Sequence, residues 1–369
     1  MNDRQRDFLD SLLDTPSPSG FESRCQRVWI DHVNQFAEEV TTDAYGNAVA
    51  TYRGSEEGPE IAFAGHADEI GLIVRDIDEE GFLRLGSIGG ADRSVSQGQR
   101  VRIHASSGSD NPDGSGSSDG SVDPIAGVIG QTAIHLRERA EDSLTDIEEQ
   151  YVDIGAADRE EAKELTEVGD PITFATETED LAGTRLAARG MDNRIGIWAA
   201  AETLGIAAER EVDTTIHAVS TIQEEVGLKG ARMVGFDLAP DAVVAIDVTH
   251  ATDHPDSGSK KAGTISLGEG PVIARGSTNH PALVDLVREA AAEEGIDVQL
   301  QASGSYTGTD ADAFYTARGA IPALSVGLPN RYMHTPVEAI DTEDLTAVAE
   351  LLGSAAALAS NRESFDVGI

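Results

Sequence analysis

Cysteine is all but missing, with one residue, Cys25, in 369. A lone thiol excludes an internal disulfide and any multi-cysteine zinc site, and it fits a reducing compartment. Positive charge is scarce too: 27 Lys and Arg stand against 66 Asp and Glu, a net charge of −39. Phosphate binding needs clustered cations, so nucleic acid is not an expected partner. Long apolar runs are also lacking. No stretch approaches the roughly 18 consecutive apolar residues of a membrane span, and the segment MNDRQRDFLDSLLD alternates charge with Phe8, Leu9, Leu12 and Leu13 as an amphipathic helix does, not as a signal peptide does. The expectation is a cytoplasmic chain that engages neither membrane nor nucleic acid.

What is present is enough to fold. Apolar residues make up 40% of the sequence, sufficient for a real core in one large domain or two ordinary ones. The acids are spread along the whole length, so no disordered acidic tail accounts for them. A solvated acidic surface suited to a salty cytoplasm does, because at ~1 M salt the screening length shrinks to ~3 Å and self-repulsion is largely removed. The composition thus predicts a halophilic protein.

Helical periodicity marks the amino-terminal segment and residues near 193–206, 279–294 and 343–360. Between them lie short, nearly all-apolar runs at 60–65 (EIAFAG), 214–221 (TTIHAVST), 242–247 (AVVAID) and 322–327 (PALSVG), as strands buried on both faces should be. Strands alternating with helices predict an α/β fold with a mixed, largely parallel sheet flanked by helices. From 72 to 174 the pattern changes to short alternating strands punctuated by Gly and Asp, which predicts a small inserted β-barrel, with residues 1–71 and 175–369 forming a discontinuous α/β domain. Within the insertion, 15 of the 19 residues at 105–123 are Ser, Gly or Asp. Such a segment buries little apolar surface and is expected to be a flexible loop without catalytic importance.

Metal-type ligands follow these buried runs. EIAFAG leads into His66 and Asp68, TTIHAVSTIQ into Glu224 and Glu225, AVVAI into Asp247, and PALSVG through LPNRYM to His334; Asp192 opens the 193–206 helix. In open α/β sheets, sites form outside the carboxyl ends of the strands, where these segments would converge. Carboxylates at the end of apolar strands are costly unless paired or metal-bound, and few Lys or Arg are near in sequence. Two divalent cations would balance Asp192, Glu225, Asp247 and a bridging hydroxide, with His66 and His334 neutral. Ions that share a water lower its pKa and polarise a scissile carbonyl. Ligation by N and O alone suits zinc, cobalt or manganese. Glu224 remains for general acid/base work, and Asp68, two residues after His66, can orient its imidazole.

The strings PSGFE (18–22), AGHADEIGLIV (64–74), RGMDNRIG (189–196), QEEVGLKGA (223–231), AIDVTHA (245–251), GTDADAF (308–314) and RYMHTPVE (331–338) run in order along nearly the whole chain. In these the sequence resembles the cobalt- or zinc-activated aminopeptidases that include glutamyl, deblocking and tetrahedral (TET) aminopeptidases. The resemblance implies that His66 and Asp247 hold one metal, Glu225 and His334 the other, and that Asp192 bridges them. It further implies Glu224 as general base, Asp68 as the residue orienting His66, the 72–174 insertion as a dimerisation domain, and dimers that build a twelve-subunit tetrahedron. The expected activity is removal of amino-terminal residues from short peptides with two zinc or cobalt ions per subunit. The competing reading is a two-metal amidohydrolase or carboxypeptidase, since the same cluster would cleave any amide placed over it.

Overall fold

The computed structural model describes residues 1–55, 58–105, 123–137, 144–255, 257 and 263–367. Nearly all of the Ser/Gly/Asp segment at 105–123 lies outside the described residues. The chain divides into two compact units, one comprising Met1–Glu69, Thr178–Met333 and Val337–Ile369, the other Ile70–Glu177 and His334–Pro336.

The first unit is built on an eight-stranded sheet in the spatial order Glu39–Thr42, Ala48–Tyr52, Thr215–Thr221, Glu60–His66, Ala242–His250, Ala323–Asn330, Val272–Arg275, Gln299–Ala302. The four middle strands are mutually parallel, and they are the four apolar runs singled out in the sequence. Every residue of Thr215–Thr221 and Ala323–Asn330 is buried. Alternation sends their side chains to opposite faces: Ile61 and Phe63 join one core, Ala62 and Ala64 another. The larger core takes in the helices Asp3–Asp14, Ser23–Val33, Met191–Glu209, Pro281–Glu294 and Thr342–Ala359. Met191–Glu209 is a helix, as expected near 193–206, but the apolar/polar periodicity expected there is absent, because the helix is buried nearly all round. The smaller core contains Ala231 and Val234 of the helix Lys229–Asp237 and Phe314 of the short helix Ala311–Phe314.

The second unit contains a closed six-stranded barrel, ordered Gly71–Ile77, Leu83–Ile88, Tyr151–Asp153, Ile125–Ile129, Arg100–Ile103, Pro171–Phe174. Strand Arg100–Ile103 displays the alternation that builds it, with Val101 and Ile103 inside and Arg100 and Arg102 outside. Closure leaves no free sheet edge. The α/β class with a largely parallel sheet and a small barrel is therefore what the chain adopts. Among the described residues, no helix is long and apolar enough to cross a membrane.

Candidate metal centre

Parallel pairing brings the carboxyl ends of two central strands side by side, with Thr221 opposite His66. His66 is the last residue of its strand, and Glu224 and Glu225 follow the neighbouring strand by three and four residues. Asp247 does not end its strand, as the sequence suggested; the strand runs on to His250 because Val248, Thr249 and His250 keep partners in Leu328, Pro329 and Asn330. Asp192 lies in the first turn of Met191–Glu209, where it and Asn193 have non-helical torsions. Its backbone N–H donates to Glu338 Oε2 at 2.8 Å. Gly65 permits a close approach between its strand and the same helix. A Cβ there would come within 2.5 Å of the Gly196 carbonyl carbon, so strand and helix meet backbone to backbone.

His66 Nε2 lies 3.2 Å from Asp192 Oδ1, 3.7 Å from Asp247 Oδ1 and 3.8 Å from Glu224 Oε2. Two groups of potential ligand atoms lie within 4.8 Å of one another: His66 with Glu224 and Asp247, and His66 with Asp192 and Glu225. His334 stands in the loop between Ala323–Asn330 and Glu338–Asp341 with φ +63° and belongs to the barrel unit, where its Nδ1 occupies space a Cβ on Gly90 would enter.

The charges in this cluster conflict. Burial pushes the Glu224 carboxyl up to about 9; His66 opposes this, while Asp310, Glu225 and Asp192 reinforce it. Burial, with Asp192 and Glu224, likewise holds Asp247 well above the carboxylate range. Burial pulls the His66 imidazole down, but Glu224, Asp192, Asp68 and Asp247 outweigh it and raise it well above its ordinary value. The group retains protons that metal ions would displace. Among the described residues the only ion-pair partner of Glu224 or Asp247 is His66. A donor set of buried N and O atoms, crowded with carboxylates and short of cationic side chains, fits divalent metal.

Asp68 is fully buried and organises the turn rather than a single neighbour. Its Oδ1 accepts the Glu224 N–H at 2.9 Å, and Oδ2 accepts the Glu225 N–H at 3.2 Å and the Ser19 hydroxyl at 2.6 Å. His66 Nδ1 is 3.0 Å from the Asp68 backbone carbonyl and 3.4 Å from its carboxylate, so the backbone makes the closer contact. Burial would raise the Asp68 carboxyl, but His66 and these donors hold it below its ordinary value. Ser19 and Glu22, both in the PSGFE string, were not legible as site residues. Glu22 Oε1 accepts from the Gly20 and Gln223 N–H groups, bracing the same turn.

Fold and donor set together define an α/β protein with a cluster of candidate metal ligands at the carboxyl edge of a parallel sheet. The profile of the peptidase M42 (glutamyl aminopeptidase) family matches residues 46–351, and the chain belongs to that family. A lysyl aminopeptidase of Pyrococcus furiosus is 33% identical over 94% of both chains. Among solved structures, an aminopeptidase of the archaeon Desulfurococcus kamchatkensis superposes with a TM-score of 0.85 at 29% identity, covering 97% of this chain and 95% of its own. The TET1 peptidase of Pyrococcus horikoshii, described as able to assemble into a tetrahedron or a large octahedral shell, gives a TM-score of 0.81 at 30% identity over 95% and 99%.

Proposed function

We propose that this aminopeptidase-family chain removes residues from the amino end of short peptides with two divalent metal ions, zinc or cobalt, held by His66, Asp192, Glu225, Asp247 and His334. The observation that carries the reading is the buried group of acids around His66 Nε2, in which Glu224 and Asp247 have no other ion-pair partner among the described residues. His334 as the fifth ligand rests on the sequence. When bound, the ions supply Lewis acidity, activating a water and polarising the scissile carbonyl. Glu224, which opens the turn, takes the proton from the attacking water and returns it to the leaving amine, a role open to it as the carboxylate left when cations displace its own proton. Asp68 holds the Glu224 and Glu225 backbones while its carbonyl fixes the His66 tautomer.

The relatives' assemblies extend the reading to a homo-oligomer in which the barrel unit makes the dimer contacts and dimers form a tetrahedral dodecamer. The charge extends it to a halophilic cytoplasm. Release of free amino acid from unblocked but not amino-acetylated peptides, dependent on added zinc or cobalt, is the expected result. Equal cleavage of both peptide sets would refute an aminopeptidase. Sedimentation should find the full particle at about molar salt and smaller species in dilute buffer; one size in both would remove the salt adaptation.

A further inference from the structure

Asp310, in the GTDADAF string, is 2% exposed and lies 89 residues from the side chain it touches. Its Oδ2 accepts from Thr221 Oγ1 at 2.5 Å. Thr221 Oγ1 is also 3.1 Å from the Gly65 carbonyl, and the Thr221 carbonyl accepts the Ala67 N–H at 2.8 Å. Thr221 therefore ties its own strand end, which leads to Glu224 and Glu225, to the segment Gly65–Ala67 that carries His66. Asp310 is the third member of that tie.

A hydroxyl carries one hydrogen, and Thr221 has two acceptors within reach. Either Thr221 donates to an ionised Asp310, or a protonated Asp310 donates to Thr221 and frees the hydroxyl for Gly65. Both arrangements join the two side chains. The other oxygen, Asp310 Oδ1, is buried with no hydrogen-bond partner among the described residues. An unsatisfied buried carboxyl oxygen costs stability, so packing alone does not explain an acid here. Electrostatics place it beside the site, since Glu224 feels its charge and it feels His66 and Asp68.

We propose that Asp310 is a positioning residue for the metal centre: through Thr221 it sets the spacing between the strand end bearing His66 and the turn bearing Glu224 and Glu225. The inference rests on the two-metal reading and acts through the hydrogen bond, not the charge. It predicts that Asp310→Ala loses zinc to a graded chelator about 10–100-fold more readily than the wild type. Turnover should fall at least about tenfold with KM changed less than about threefold. Asp310→Asn can still bond Thr221 and should recover both quantities to within about threefold. Thr221→Val should copy Asp310→Ala, and the double variant should be no worse than either single one, as expected for partners in one link.

The test measures zinc retention, kcat and KM in the assembled protein, with thermal unfolding as a control; if Asp310→Ala does not fold, Thr221→Val and Asp310→Asn decide. Wild-type retention and turnover in Asp310→Ala or Thr221→Val, or Asp310→Asn as damaged as the alanine variant, would overturn the proposal. A wild-type protein that is active without metal would instead refute the two-metal reading.

Discussion

Glu69 and Glu224 are both buried glutamates in the same unit, and their surroundings drive them in opposite directions. Glu69 takes Arg189 Nη1 at 2.5 and 2.6 Å, the Ser17 N–H at 2.9 Å, and Arg194 Nη2 at 2.9 Å. Of the Arg194 guanidinium, Nη2 stands at ion-pair distance from Glu69 Oε2. Burial opposes ionisation, but the two guanidiniums win and hold the Glu69 carboxyl at about 2. Glu224 is held at about 9 by burial first and by its acidic neighbours second, against the pull of His66. Around Glu69 the fold supplies its own cations; at the sheet edge it gathers anions, whose counter-charge the proposed metal ions would bring. The contrast separates scaffold from site more sharply than burial does.

The largest effect should come from withdrawing that outside charge. Chelation is expected to abolish peptide cleavage, and zinc or cobalt to restore it. Full turnover in protein free of metal by elemental analysis would erase the distinction between the two glutamates. Next come the variants within the turn. Glu224→Gln cannot accept a proton, so turnover should drop ~10²–10⁴-fold with metal near two per subunit. Glu225→Gln should hold one metal weakly and regain part of its activity in excess metal. Metal loss in the first and full occupancy in the second would exchange their roles.

The smallest effect on turnover belongs to the scaffold. Glu69→Gln leaves two buried guanidiniums without their carboxylate and should cost about 3–5 kcal/mol of stability at neutral pH. Because the folded pKa lies below the unfolded one, this contribution is present above about 4.5 and fades as the pH falls toward 2. Denaturant unfolding of both proteins across that range should therefore show the gap closing in acid. A gap that stays constant with pH would mean that the Glu69 charge is not what stabilises the fold.

Runs of apolar residues broken by His or Glu were enough to place His66, Glu224 and Glu225 beside one another, because parallel pairing brings the ends of neighbouring strands to one edge. The same logic predicted the barrel from short alternating strands. Other features left weaker marks. The helix Ser23–Val33 buries Cys25, Gln26 and Trp29 but carries too few apolar residues for a clear period. The edge strands Glu39–Thr42 and Gln299–Ala302 are only four residues long and mostly exposed. Ser19 and Asp310 act through hydrogen bonds spanning 49 and 89 residues, and no local pattern encodes such a partner.

The backbone contact at Gly65 has a consequence for heat. Side-chain packing loosens as rotamers become populated, and most ligand spacings in proteins drift with it. Here Gly65 and Gly196 meet without side chains between them, so the offset between the strand that ends in His66 and the helix that begins beside Asp192 is fixed by the thickness of two peptide planes. This spacer has no rotamers to melt and keeps its length until the sheet itself comes apart.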